Sequence, residues 1–172
     1  MMRRAVRSAL ALVLALAALA APSLAADKTT DIFGSIALQK GDAVGQSRSA
    51  SGELNFGVTK LLDLGVLFTY SYFKPPSDAA VTETLDSWAM GGQVVLHTTP
   101  AHNGIVMGVG VTVPQGDADG TLVTPWLGLE FGQKTVVFRV AYSHPFNYGF
   151  DGGDAVDLER DVIAAAIGFR FK

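Results

Sequence analysis

The 172-residue chain contains no cysteine. A disulfide framework and a thiolate metal site are therefore excluded. Basic clusters are missing as well, and 16 Asp and Glu outnumber 13 Lys and Arg. Neither feature suits nucleic acid as a partner. Beyond residue 25 no apolar run approaches the ~18 residues of a spanning helix, which argues against a helical membrane protein. An exported domain without disulfides needs another source of stability. A closed sheet is one, because every backbone hydrogen bond is made between its strands.

The first residues carry a targeting signature. Arg3, Arg4 and Arg7 form a positive region, Ala9 to Ala21 is built from Ala, Leu and Val, and Pro22 breaks that run. Ser23-Leu24-Ala25 places small residues at −3 and −1. Residues 1–25 are therefore expected to be a cleaved signal peptide of the general secretory route, with 26–172 as one domain. The apolar run is shorter than the ~20 residues of an anchor. Arg3-Arg4 lacks the surrounding twin-arginine pattern, and no cysteine follows to carry a lipid. Setting aside the three arginines leaves the mature part acidic.

From Asp31 onward the apolar period is two, not 3.6. In the last segment Ile163, Ala165, Ile167, Phe169 and Phe171 share one face, and Ala164, Ala166, Gly168 and Arg170 the other. A helix would leave Arg170 beside Ile167 and Phe171 with no polar stripe; a strand separates the faces. Leu62, Leu64, Val66, Phe68, Tyr70 and Tyr72 likewise oppose Asp63, Gly65, Leu67, Thr69 and Ser71. The same parity runs through segments near 32–38, 51–59, 87–96, 105–113, 123–132 and 135–143. About eight segments of roughly ten residues result, the length that crosses a membrane at a ~45° tilt.

The links alternate in length. Short ones fall at Lys60-Leu61, His97 to Asn103 and Gly132 to Lys134. Longer polar ones fall at Lys40 to Ser47, Lys74 to Glu83, Pro114 to Gly120 and His144 to Asp157. Short periplasmic turns and longer extracellular loops give this alternation. In a soluble barrel or sandwich the polar face meets water and carries many charges. Here that face is mostly Gly, Ala, Ser and Thr, which suits the interior of a small barrel. The bulky apolar face suits lipid. Tyr70, Tyr72, Trp88 and Tyr142 are expected at one membrane interface, and Phe56, Phe131, Phe169 and Phe171 at the other. The reading is an all-β, eight-stranded, antiparallel up-and-down transmembrane barrel.

Two passages carry a family resemblance. The run from Gly57 to Gly65 looks like a tight periplasmic turn, and Ile167-Gly168-Phe169-Arg170-Phe171 looks like the C-terminal signal read by the barrel assembly machinery, although Lys172 follows the final aromatic. Across 26–172 the chain resembles the small outer-membrane proteins of the OmpA transmembrane-domain and OmpX type. The resemblance implies integral residence in the outer membrane, contact with its lipid and lipopolysaccharide, and assembly by that machinery with Phe169 and Phe171 as the signal. A monomer is expected. No peptidoglycan-anchoring role is expected.

Candidate chemistry is sparse. Glu53, Asp63, Glu130, Arg139 and Arg170 share the inward parity, and buried charges must pair. Glu130 and Arg139 flank a turn and are expected to pair diagonally. The set reads as a structural plug, with a channel lining as the alternative, since the many inward glycines leave space for a narrow water path. Ser143-His144-Pro145-Phe146-Asn147 loosely resembles the His-x-Ser-Asn of PagL-type lipid A deacylases, but Phe146 stands where the serine belongs. Adjacent Ser143 and His144 also point to opposite faces of a strand. Asp117, Asp119, Asp151, Asp154, Asp157 and Glu159 could offer oxygens to Ca²⁺ but match no EF-hand spacing, and read as solvated loops. His97 and His102 read as turn residues without a third metal ligand. No catalytic set, cofactor or metal is expected. The expected role is structural or surface interaction through the extracellular loops; a narrow porin-like channel is second and a lipid A esterase third.

Overall fold

The period-two pattern is realised as a single antiparallel sheet that closes on itself. A computed structural model describes residues 29–41, 45–74, 85–116, 120–133, 135–148 and 161–171. The expected signal peptide, 1–25, and the acidic loop residues Asp117, Asp119, Asp151, Asp154, Asp157 and Glu159 lie outside them. The strands are β1 (Thr30–Gly41), β2 (Gly45–Gly57), β3 (Leu62–Lys74), β4 (Leu85–His97), β5 (Gly104–Gly116), β6 (Thr121–Gln133), β7 (Val136–Ser143), β8 (Phe146–Tyr148) and β9 (Val162–Phe171). From β1 to β7 neighbours in sequence pair in turn, β7 pairs with β9, and β9 pairs with β1 to close the ring.

β7 and β8 are two lengths of one barrel strand, which makes the barrel eight-stranded. Both pair with β6 in one continuous register, Trp126 opposite Ser143 and Val123 opposite Phe146. The ladder lapses between them because Pro125 and Pro145 have no N–H to donate; the His144 N–H still reaches the Pro125 carbonyl at 3.3 Å. The strand thus continues into the link expected from His144 to Asp157. The link expected at Lys40 to Ser47 is also shorter, since β1 and β2 stay paired up to Gly41 and Gly45. Alternating Gln, Ser and Gly there read as loop by composition, but pairing overrides it.

The register fixes the barrel's stagger. From Thr29, whose carbonyl accepts the Gly57 N–H, partners run through Asp63, Val95, Gly108, Trp126, Ser143 and Val162 back to Gln39, ten residues further along the first strand. Such a stagger on eight strands requires a tilt of roughly 35–45° and leaves an interior that side chains nearly fill.

Side-chain parity follows the sequence pattern throughout. Ile32, Leu38, Phe56, Phe68, Met90, Val109, Leu129 and Ile167 point outward and are exposed, while Phe33, Ala89, Val95, Val106 and Val137 point inward and are buried. Several inward glycines do not leave the void expected of them. A Cβ on Gly168 would lie 2.4 Å from the Phe33 ring, and one on Gly108 2.5 Å from the Trp126 ring. Each glycine is the direct cross-strand partner of the aromatic that fills its space. Gly168→Ala is therefore expected to destabilise the barrel by about 1–3 kcal/mol through overpacking. Urea unfolding of the refolded protein measures this, and Phe33→Leu in the same chain should recover part of the loss.

Candidate functional site

The closed ring divides the lumen into two unlike halves. One end carries the short turns 58–61 and 98–103 together with the start of β1 and the finish of β9; we term it the turn end. The opposite, loop end carries the links beyond β3 and β8. Inward polar residues concentrate at the turn end because β1, β2, β3, β4, β6 and β9 each place one or more there: Asp31, Glu53, Asn55, Asp63, Gln93, His97, Glu130 and Arg170, with Arg139 from β7.

Arg139 is the hub. Its Nε and Nη2 donate to Glu130 Oε1 at 2.9 and 2.7 Å, and its Nη1 donates to Glu53 Oε2 at 2.7 Å. Its guanidinium lies 4.0 Å from the Phe33 ring centre and 4.8 Å from that of Trp126. Planar cations stack on aromatic faces while their edge donates, so four neighbours are satisfied by one side chain. Glu130 stands directly opposite Arg139 on the neighbouring strand, not diagonally as expected. Gln93 Nε2 donates to both Glu53 and Asn55 at 2.8 Å, which holds the second carboxylate in place.

Arg170 forms a second hub nearer the turn end. Its Nε and Nη2 reach Asp31 at 2.9 and 2.7 Å, and Nη2 lies 3.4 Å from Glu130 Oε2. Glu130 thereby bridges the two arginines. The five sequence-nominated charges fall into one contiguous network except Asp63, which joins it through His97: His97 Nε2 is 2.8 Å from Asp63 Oδ2, and His97 Nδ1 is 3.4 Å from Glu130 Oε2.

The histidines correct the sequence reading. Neither is merely a turn residue. His97 ends β4 on the inward parity, and His102 adopts a left-handed conformation (φ 54°) in the 98–103 turn. That turn is held by the His102 N–H donating to the Thr99 carbonyl at 3.0 Å and by Thr99 Oγ1 donating to the Asn103 carbonyl at 2.6 Å. Its geometry swings the imidazole beneath the lumen, where it stacks on His97 with ring centres 3.8 Å apart. Both rings are buried. Asp63, His97 and His102 bring candidate ligand atoms within 4.8 Å of one another, so a third ligand does accompany the pair.

As lumen residues, Asp31, Phe33, His97 and His102 go unrecognised in the sequence, where the two histidines read only as turn residues. The first three share the inward parity of their strands, so parity alone reveals them when extended to the strand ends. His102 lies in a turn, where parity has no meaning.

Above the network the lumen opens into a cavity of ≈ 160 Å³. Glu53, Gln93, Trp126 and Arg139 form its floor; small side chains such as Ser51, Thr69, Ala89, Thr112, Ala141 and Ala164 form its wall. This volume has room for several waters. Below the floor Asp31, Asp63, Glu130 and Arg170 are buried.

The nominated interface aromatics all lie on the outer surface. Tyr70, Tyr72, Trp88 and Tyr142 stand toward the loop end, and Phe56, Phe131, Phe169 and Phe171 toward the turn end. Two tyrosines turn their hydroxyls to acidic residues at the loop-end rim: Tyr70 donates to Asp86 at 3.0 Å and Tyr142 to Asp161 at 2.6 Å. Asp161, outside the strands, also meets His144 Nδ1 at 2.8 Å, and the hydrogen bonds from Tyr142 and His144 lower its pKa.

Removing Arg139 would strand Glu130 and Glu53 as buried, unpaired carboxylates. Arg139→Met is expected to cost about 3–5 kcal/mol, the loss seen when one partner of a buried ion pair is deleted. Denaturant unfolding in vesicles checks this. A cost below 1 kcal/mol would show that the network does not hold the lumen.

No protein-family profile matches the chain, and no curated protein matches its sequence. Solved structures do. The N-terminal β-barrel domain of Pseudomonas aeruginosa OprF is 12% identical over 82% of this chain and 97% of its own, with a TM-score of 0.51. The Yersinia pestis outer-membrane protein Ail, solved in a phospholipid bilayer nanodisc, is 11% identical over 84% of this chain and 100% of its own, with a TM-score of 0.56. Neisserial surface protein A is 12% identical over 84% and 96%, with a TM-score of 0.50. At this identity the likeness is one of fold: the chain has the closed eight-stranded architecture of the small outer-membrane barrels of the OmpA and OmpX type.

Proposed function

We propose that the chain is an integral outer-membrane barrel with a structural or surface-interaction role, displayed at the loop end and without enzymatic activity. One observation carries this reading: the exterior is apolar around the whole ring. Ile36, Phe68, Met90, Val109, Leu129 and Phe169, on six different strands, are each 45 to 69% exposed. A soluble monomer rarely exposes apolar patches beyond a few hundred Å². Among the described side chains, exposed charges occur only toward the two ends: Arg48, Asp86 and Asp161 near the loop end, and Lys60 in the 58–61 turn. An apolar band between polar rims fits a bilayer.

On this reading the loop end faces outward and the turn end faces the periplasm. Phospholipid and lipopolysaccharide contact the apolar band. Export follows the general secretory route, and the barrel assembly machinery reads the segment ending at Phe171. A narrow channel is the second reading, favoured by the cavity at the loop end. The buried network beneath that cavity favours a plug instead. A hydrolase reading gains no support from the geometry: Ser143 lines the cavity while His144 turns to Asp161 at the rim.

Four measurements test the proposal. The protein should sediment with the outer-membrane fraction and migrate faster on gels unless boiled; recovery in the soluble periplasm would overturn it. Val109→Arg, in the middle of β5, should cost about 2–4 kcal/mol in bilayers, as lipid-facing arginines do near the midplane. In planar bilayers the protein should give no steady ion-selective steps. Such steps would replace the plug with the channel reading.

A further inference from the structure

We infer that Asp63, His97 and His102 form a binding site for a first-row transition-metal dication, zinc(II) foremost, at the turn end of the barrel. The inference goes beyond the membrane role and does not depend on it. Two observations support it: the tautomer that the surroundings impose on His102, and the polar atoms left without partners.

His102 Nε2 lies 3.1 Å from the Lys60 carbonyl. A carbonyl only accepts, so this nitrogen carries the proton and donates. In the neutral ring Nδ1 then presents its lone pair. That atom is buried and has no hydrogen-bond partner, and so is Asp63 Oδ1. His97 differs, because both its nitrogens face carboxylates and its Nε2 must shed a proton before it can ligate. Its Nδ1 faces Glu130 Oε2 at 3.4 Å, while Nε2 faces Asp63 Oδ2 at 2.8 Å. Metal-binding histidines commonly donate their other ring N–H to a carbonyl or carboxylate, which orients the ring. Here both partner types are present, one for each ring.

The spacing suits one ion. Ligand atoms around a tetrahedral centre with bonds near 2.0–2.1 Å stand about 3.3 Å apart. Asp63 Oδ2 lies 2.8 Å from His97 Nε2 and 4.0 Å from His102 Nδ1, on either side of that value. The rings stack within 11° of parallel, so they must tilt apart to converge on the ion. Asp31 Oδ2, 3.9 Å from His102 Nδ1, or a water supplies the fourth position.

Charge points the same way. Among the described residues the lumen network holds the carboxylates of Asp31, Glu53, Asp63 and Glu130 against the guanidiniums of Arg139 and Arg170. Without the proton between His97 and Asp63 the surplus is two negative charges, which a dication compensates. The ion takes the place of that proton, which leaves to solvent. Imidazole ligands favour zinc and its neighbours over calcium or magnesium.

The test uses the full chain, refolded in detergent, stripped with chelator and titrated with zinc chloride at neutral pH by calorimetry. One equivalent should bind with proton release, seen as a heat that varies with buffer ionisation. Cobalt(II) should give the visible absorption of a low-coordinate site. His102→Asn keeps a residue that tolerates the left-handed turn and removes the ligand. It should weaken zinc by more than the roughly 10–100-fold that loss of a mere supporting partner costs, and Asp63→Asn should do the same. His144→Ala, at the opposite rim, should leave binding unchanged. Heat-modifiable migration confirms that each variant folds; if Asp63→Asn does not, His102→Asn alone decides. Absence of a one-equivalent site, undiminished affinity in His102→Asn, or loss of binding in His144→Ala would each overturn the assignment.

Discussion

Closing eight strands with a stagger of ten residues leaves an interior too narrow for free water across its whole length, and everything placed on the inward parity must find a partner within it. Arg139 answers this constraint. Its edge engages Glu130 and Glu53, and its faces meet Phe33 and Trp126. Those aromatics reach the guanidinium only because Gly168 and Gly108 stand opposite them and yield their side-chain space. The glycines, aromatics and charges of the lumen are thus one packing solution. Changing any member leaves a void, a clash or an unpaired charge.

That solution is asymmetric along the barrel axis. The turn end holds the charges and both buried imidazoles, and the loop end holds small hydroxyl and methyl groups around a cavity. The described lumen is thus filled at the turn end and hollow toward the loop end. On the membrane reading, the apolar exterior supplies anchorage without a helix, because the closed ladder satisfies the backbone that lipid cannot.

Much of this was legible before any coordinates. Period-two alternation assigned the outward and inward face of every strand except the short β8, which read as link, since side chains alternate strictly along a strand. It also nominated Glu53, Asp63, Glu130, Arg139 and Arg170. Partner identity was less legible, because register is a property of two strands together; Glu130 and Arg139 proved directly opposite. His102 was legible only as a turn residue. Its ring reaches the lumen through a positive φ in a turn, and its neighbour Asp63 lies far off in sequence. The inward glycines misled for a related reason: composition counts a missing side chain as space, whereas pairing shows a neighbour's ring already there.

The central claim is that the network closes the turn end while the cavity above it stays open to the loop end. Absence of native cysteine permits a direct test. Thr69→Cys places one thiol in the cavity wall, above Arg139 and Glu53. In proteoliposomes of uniform orientation, a membrane-impermeant maleimide should label it when supplied at the loop end and fail to label it when supplied at the turn end. Equal labelling from both ends would contradict the account.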